Sequence, residues 1–237
     1  MNYDLSLLQL LNGSDSPFLD QLALTLTSTY TWIAMFLILL YMVMRNNEKD
    51  VQIFLVVGAC ALCLLLTAGT SELVVKPLVA RLRPSHDPAL RGIIDLACGY
   101  QGSGYSFFSS HSANTMGIAV FFSLLVRNRR FTLTLLCWSF VNAWSRLYLG
   151  VHYPSDVLVG FLWGAAVGVA VYLLFIRFYI RTTPKLHFIS TKYTSTGYAL
   201  QDITTFHIVV FATLIYAVLR ALLLARGTFL IHELFSV

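Results

Sequence analysis

The stretch VQIFLVVGACALCLLLTAGT, residues 51–70, runs for twenty positions without one charged side chain. That is about the length a helix needs to cross the ~30 Å hydrocarbon core of a bilayer. Within lipid, only a helix or a closed barrel satisfies its own backbone donors and acceptors. Runs of similar character lie at about 22–44, 111–127, 131–149, 156–178 and 206–226. The chain is 57% hydrophobic and 11% charged, against about 25% charged in an ordinary soluble domain. A soluble protein of this size cannot cover so much apolar surface. The expected fold is all-α: a polytopic membrane helical bundle of about six transmembrane helices, with residues 1–237 as a single domain.

Ahead of the first run, Leu5, Leu7, Leu8, Leu10 and Leu11 pattern a short amphipathic helix suited to the membrane interface. Asn12-Gly13 is its stop, and Ser16-Pro17 restarts the chain as a helix. No basic segment and cleavage site mark this N-terminus as a secretory signal. Cys60 and Cys63 form a CxxC inside an apolar run and Cys98 stands in a polar loop, so no disulfide is implied. The net charge of +5 does not indicate nucleic acid, because the basic residues are dispersed around the runs.

Those basic residues fix an expected orientation. The connections 45–50, 127–130 and 177–205 carry Arg45, Lys49, Arg127, Arg129, Arg130, Arg177, Arg181, Lys185 and Lys192. Lys and Arg in short loops favour the cytoplasm. Both termini and the loops 71–110 and 146–155 are therefore expected on the side away from the cytoplasm.

Three polar clusters fall on that outer side. Lys76-Pro-Leu-Val-Ala-Arg-Leu-Arg83-Pro84 holds a Lys and an Arg separated by six residues. Ser106-Phe-Phe-Ser109-Ser110-His111-Ser112 lies at the mouth of the third run, and Ser145-Arg146 is followed by His152 and Asp156. Ionisable groups at membrane depth are costly and mark function. His187, His207 and His232, which stand alone, read as interfacial polar caps.

The chemistry that suits the clusters is phosphoryl transfer. Lys76, Arg83 and Arg146 are partners for a tetrahedral dianion, Arg through bidentate bonds and Lys as a point charge. Backbone N–H groups around Ser109, Ser110 and His111, at a helix N-terminus, add an anion site. His152 is the expected nucleophile. Pro154 fits the first turn of the next helix, which places Asp156 about one turn from His152 to orient its ring. His111 is left as general acid, then as base for the attacking water. No cluster has metal-ligand character, so no cofactor is expected.

This combination resembles the type 2 phosphatidic acid phosphatase superfamily, whose pattern is K-x6-RP, PSGH and SR-x5-H-x3-D. Lys76, Arg83 and Pro84 match the first motif, and Ser145, Arg146, His152 and Asp156 match the third without a gap. In the second, Ser109 and His111 align, but Phe108 replaces Pro and Ser110 replaces Gly. The resemblance covers about residues 70–160 and implies a six-helix lipid phosphatase of a bacterial envelope, working without metal through a phosphohistidine. Ser110 in place of Gly is expected to alter the loop that approaches the phosphate, touching rate and substrate shape more than reaction class.

The expected substrate is a membrane lipid phosphate that reaches the site from the bilayer. Lipid A-type phosphoglycolipid and undecaprenyl diphosphate lead; phosphatidylglycerol phosphate and phosphatidate are alternatives. A non-catalytic phospholipid transporter or scaffold is the rival class, but binding alone needs no nucleophile beside an orienting carboxylate. Haloperoxidases of the same superfamily are soluble, which the apolar runs exclude. The loop 85–105 is the expected selectivity element, with Asp87 and Asp95 discouraging a second acidic group. The orientation predicts that a membrane-impermeant thiol reagent labels Cys98 in cells with an intact cytoplasmic membrane. Labelling only after permeabilisation would reverse it.

Overall fold

The computed structural model describes residues 3–182 and 191–235. Lys185, His187 and the His232 side chain lie outside what is described. The described residues are helical apart from loops and a single bridge between Tyr193 and Ala199. In chain order the helices are α1 (Tyr3–Leu11), α2 (Pro17–Thr27), α3 (Ile33–Arg45), α4 (Asp50–Gly69), α5 (Lys76–Val79), α6 (Ser110–Val126), α7 (Arg129–Tyr148), α8 (Pro154–Thr182) and α9 (Leu200–Phe235).

Among the described residues, three helical stretches are long and apolar enough to cross a membrane: Asp50–Val79, Pro154–Thr182 and Leu200–Gly227. A fourth crossing arises if Pro17–Thr27 and Thr29–Arg45, bent by 67° at their junction, count as one. The bend falls at Ser28, whose backbone is extended (φ −74°, ψ 125°). Across it, Thr31 Oγ1 donates to the Thr25 carbonyl at 2.6 Å and Trp32 Nε1 to the Leu26 carbonyl at 2.9 Å. α6 is a shorter apolar helix. α7 is long enough to span but buries Ser139, Asn142, Ser145 and Arg146 on its inner face, which dilutes its apolar character.

Helix starts follow the local chemistry. Ser16 caps α2 ahead of Pro17, Ser109 caps α6 and Asn128 caps α7, each side chain accepting from a first-turn N–H. α1 ends at Leu11, and Gly13 follows at φ +63°. Leu8 of α1 is fully buried among Leu90, Leu147, Tyr153 and Val157, so this helix covers one end of the bundle while Leu10 stays exposed. At the opposite end, Asn46 bonds Asp202, Lys49 reaches the Thr182 carbonyl and Thr196 reaches the Val126 carbonyl. The three arginine- and lysine-bearing connections therefore share that end, and His207 lies near it on α9 beside Arg130.

The tightest contact in the bundle is between α6 and α8. Gly160, Gly164 and Gly168 recur every fourth residue, one helical turn apart, so they line one face of α8. A Cβ on Gly160 would lie 2.6 Å from the Ser109 carbonyl oxygen, on Gly164 2.3 Å from that of Ala113, and on Gly168 2.6 Å from that of Gly117. Small residues let membrane helices approach backbone to backbone. Gly164→Leu should therefore push the helices apart, costing at least the ~1–3 kcal/mol of core overpacking. A thermal midpoint in detergent equal to that of the wild type would contradict this contact.

Candidate active site

Backbone bonds stitch three loops together at the end covered by α1. Ser109 N donates to the Asp156 carbonyl at 3.0 Å, Ser106 N to the Arg81 carbonyl at 2.8 Å and Ser85 N to the Gly150 carbonyl at 3.0 Å. Lys76 and Arg83, the Ser109–His111 turn, and Arg146 with His152 and Asp156 converge as a result. Lys76, Arg83, Arg146, His152 and Asp156 are all buried. The last four residues of this approach to α5, Glu72 to Val75, belong to a π-helical turn spanning Thr70–Val75, an irregularity that often marks functional sites.

His152 and Asp156 form the deepest part. His152 Nδ1 lies 3.5 Å from Asp156 Oδ2. The same oxygen accepts from Tyr153 N at 2.9 Å and from Ser106 Oγ, while Oδ1 accepts from Arg81 Nη1 at 2.7 Å. On the other side of the ring, His152 Nε2 is 3.1 Å from Arg83 Nη1. A guanidinium only donates, so Nε2 presents its lone pair and the ring proton sits on Nδ1, towards Asp156. Burial, opposed by the Asp156 contact and reinforced by Arg146 and Arg83, pushes the His152 pKa down to about 3. The ring is thus a neutral base above that pH, the state a nitrogen nucleophile requires.

The cations are held rigidly. Arg83 donates through Nε and Nη2 to the Ser103 carbonyl at 3.1 and 2.8 Å, and through Nη1 to the Val151 carbonyl at 2.9 Å. Gly102 makes room for it: a Cβ there would lie 2.9 Å from Nη1. Burial first, then Arg146, draws the Arg83 pKa down to about 10. Arg146 Nη1 reaches Thr27 Oγ1 at 2.7 Å, which the bend after α2 presents, and Tyr100 Oη at 3.3 Å. Its Nε is buried without a partner among the described residues. Lys76 Nζ pairs with Glu72 Oε1 at 2.5 Å. Lys76, Arg83 and Arg146 all act electrostatically on His111. With Asp156 paired to Arg81, Lys76, Arg83 and Arg146 face Glu72 in excess, which favours an anionic ligand.

The sequence matches the PAP2 superfamily over residues 58–180. The chain belongs to that superfamily. Its relatives include a lipid A 4'-phosphatase of Bacteroides thetaiotaomicron, 34% identical over 172 residues that make up 72% of this chain and 76% of that protein. A lipid A 4'-phosphatase of Porphyromonas gingivalis is 34% identical over 168 residues, 70% of each chain. Among solved structures, that of Aquifex aeolicus LpxE superposes with a TM-score of 0.54 at 24% identity, covering 72% of this chain and 95% of that one. This last likeness concerns the fold.

Within this PAP2 protein the second motif is the one that departs from the family pattern, and Ser110 shows how. Its hydroxyl donates to Glu72 Oε1 at 2.5 Å and lies 2.8 Å from Ser71 Oγ, whose single proton serves either Ser110 Oγ or the Phe108 carbonyl at 3.0 Å. Ser110 thus ties the turn to the π-helical segment. Ser109 is committed as the cap of α6, accepting from Ser112 Oγ at 3.0 Å and Ser112 N at 3.4 Å. The N–H groups of Ser110 and His111, in the first turn, have no intrahelical acceptor. A cavity of about 510 Å³ opens beside them, polar at Glu72, Ser110 and His111 and apolar at Trp32, Phe36, Leu64 and Ile118.

Four groups escape a reading of the motifs: Glu72, Arg81, Thr27 and Tyr100. Glu72 stands four residues before Lys76, a spacing that pairs opposite charges on a helix, and Arg81 is a third cation inside the first motif. Thr27 and Tyr100 carry no local signal. The dyad geometry predicts that Asp156→Asn lowers turnover by roughly 10⁴, as the corresponding change does in a serine-protease triad. Substrate binding should be retained, and steady-state kinetics that show a rise in KM alone would contradict the role.

Proposed function

We propose that this chain is a metal-independent lipid phosphatase that releases phosphate from an envelope lipid at the outer face of the cytoplasmic membrane. The observation that carries the reading is the His152 geometry: a neutral ring, its Nδ1 backed by Asp156 and its Nε2 lone pair turned towards Arg83 among the clustered cations. In the proposed reaction, Nε2 attacks phosphorus and the bond from phosphorus to the ester oxygen breaks. The departing oxygen takes a proton from His111, which the arriving dianion would allow to be protonated by offsetting the three cations around it. Water then gives a proton to His111 and attacks the phosphohistidine, releasing inorganic phosphate and restoring both rings.

Lys76, Arg83 and Arg146 would neutralise the non-bridging oxygens, assisted by the N–H groups at the start of α6. The bundle would cross the bilayer six times, with α1 lying in the outer interface. The cavity supports a lipid substrate, since its polar end adjoins His111 and its apolar walls suit the hydrocarbon part. A lipid A-type phosphoglycolipid is the favoured substrate. The two relatives at 34% identity carry the name lipid A 4'-phosphatase, and Glu72 in the cavity lining suits sugar hydroxyls better than a second phosphate.

Purified protein should release phosphate from lipid A bisphosphate faster than from undecaprenyl diphosphate, phosphatidylglycerol phosphate or phosphatidate. Turnover should persist in EDTA and fall with vanadate, a mimic of the pentacoordinate phosphorus. His152→Ala should abolish both turnover and an acid-labile phosphoenzyme. Activity that chelation removes and magnesium or zinc restores would overturn the metal-free mechanism, and near-normal turnover in His152→Ala would overturn the nucleophile.

A further inference from the structure

We infer that Arg81 is a positioning residue that joins the N-terminal helix to the dyad: its guanidinium bridges Asp4 of α1 and Asp156 of α8, fixing the carboxylate behind His152. The inference rests on the phosphohistidine reading and deepens it.

Arg81 Nη1 donates to Asp156 Oδ1 at 2.7 Å and to Ser155 Oγ at 2.8 Å, while Nη2 donates to Asp4 Oδ2 at 2.7 Å. Asp4 in turn accepts from Ser155 N at 2.9 Å and Ser155 Oγ at 2.6 Å, so it also closes the first turn of α8. The guanidinium stacks 3.7 Å above the Tyr153 ring. Both Nη groups are committed to these partners on the side of Asp156 away from His152. Arg81 therefore acts on the chemistry through Asp156.

The arrangement answers an electrostatic problem. Asp156 is wholly buried, and a buried carboxylate keeps its charge only when paired and hydrogen-bonded. Arg81 supplies the charge, and its fork fixes the rotation that turns Oδ2 towards His152. A guanidinium devoted to Asp156 alone would, however, cancel the negative charge that must stabilise the imidazolium formed when Nε2 is phosphorylated. Asp4 shares the guanidinium, so Asp4, Arg81 and Asp156 together keep one net negative charge behind the ring. The packing of Leu8 holds Asp4 in place, which makes α1 part of the site. The other charged or titratable groups facing the dyad are Arg83 from the same loop, Arg146 from α7 and the Tyr153 phenol; Asp87 acts on Tyr153.

The test is the pH dependence of turnover by the full chain, with lipid A bisphosphate in mixed micelles and vanadate inhibition as a probe of the phosphate site. Arg81→Gln should lower kcat by about 10²-fold, the cost of a misplaced reacting group, with KM and vanadate inhibition little changed. Its acid limb should move to higher pH, because losing the cation makes both Asp156 and His152 easier to protonate. Arg81→Lys should return the limb to its place while only partly restoring kcat, since an ammonium cannot span both carboxylates. Asp4→Asn should lower kcat without moving the limb upward. Wild-type kcat and pH profile in Arg81→Gln would overturn the inference, as would a uniform loss in all three variants with no shift of the limb. Should Arg81→Gln not fold, Asp4→Asn decides, and unchanged kcat there overturns it. Wild-type protein inactive on every lipid phosphate would instead refute the phosphatase reading itself.

Discussion

The approach of α6 to α8 governs the active end of the molecule. Hydrocarbon tails solvate apolar side chains as well as another helix does, so membrane helices gain little from hydrophobic burial against each other and rely on close packing. Gly160, Gly164 and Gly168 provide it by leaving α8 without a Cβ at these three positions, which brings the carbonyls of Ser109, Ala113 and Gly117 against the α8 backbone. The consequence at the top of the seam is chemical. With the helices this near, Ser109 N reaches the Asp156 carbonyl, and the first turns of α6 and α8 become one surface. His111 is carried by one helix and Asp156 by the other, so their separation is set by backbone contact rather than by flexible side chains. A site that must hold reacting groups within a fraction of an ångström gains from such rigid support.

How much of this the sequence discloses depends on how local each feature is. Lys76 to Arg83 and Arg146 to Asp156 are short intervals whose spacing alone suggests a helix end and a turn, and the convergence of these intervals is what the bundle adds. The helix positions are also legible, because apolar runs broken by Gly, Asn and charge leave few alternatives in lipid. The bend at Ser28 is not. Residues 22–44 read as one run with neither Pro nor Gly, and the break rests on Thr31 and Trp32 bonding back to the carbonyls of Thr25 and Leu26. That hidden bend matters, since it delivers Thr27 to Arg146 across 119 residues of chain. Likewise, nothing near Asp4 signals a partner, because Arg81 and Ser155 reach it only after the fold has formed. Leu5, Leu8 and Leu11 do pattern α1, yet the pattern cannot tell a helix resting on lipid from one resting on the bundle; Leu8 is buried against protein.

The pairing of the cations also bears on how a phosphate would enter the site. Lys76 is occupied by Glu72 and Arg83 by carbonyls and by His152 Nε2, so the cations are not idle charges awaiting a ligand. On the phosphatase reading, a dianion would exchange with these internal partners. It would draw Lys76 from Glu72 and Arg83 from Nε2, releasing the lone pair at the moment phosphorus arrives. Arg146 Nε, without a partner among the described residues, would gain a bond without losing one. A neutral or singly charged head group offers less in this exchange, since it returns less Coulomb energy for the same disrupted pairs. The same balance would pair His152 Nε2 with Arg83 until a phosphate displaces it. Selection for a phosphate dianion and exposure of the attacking nitrogen would then be two results of one rearrangement around Arg83.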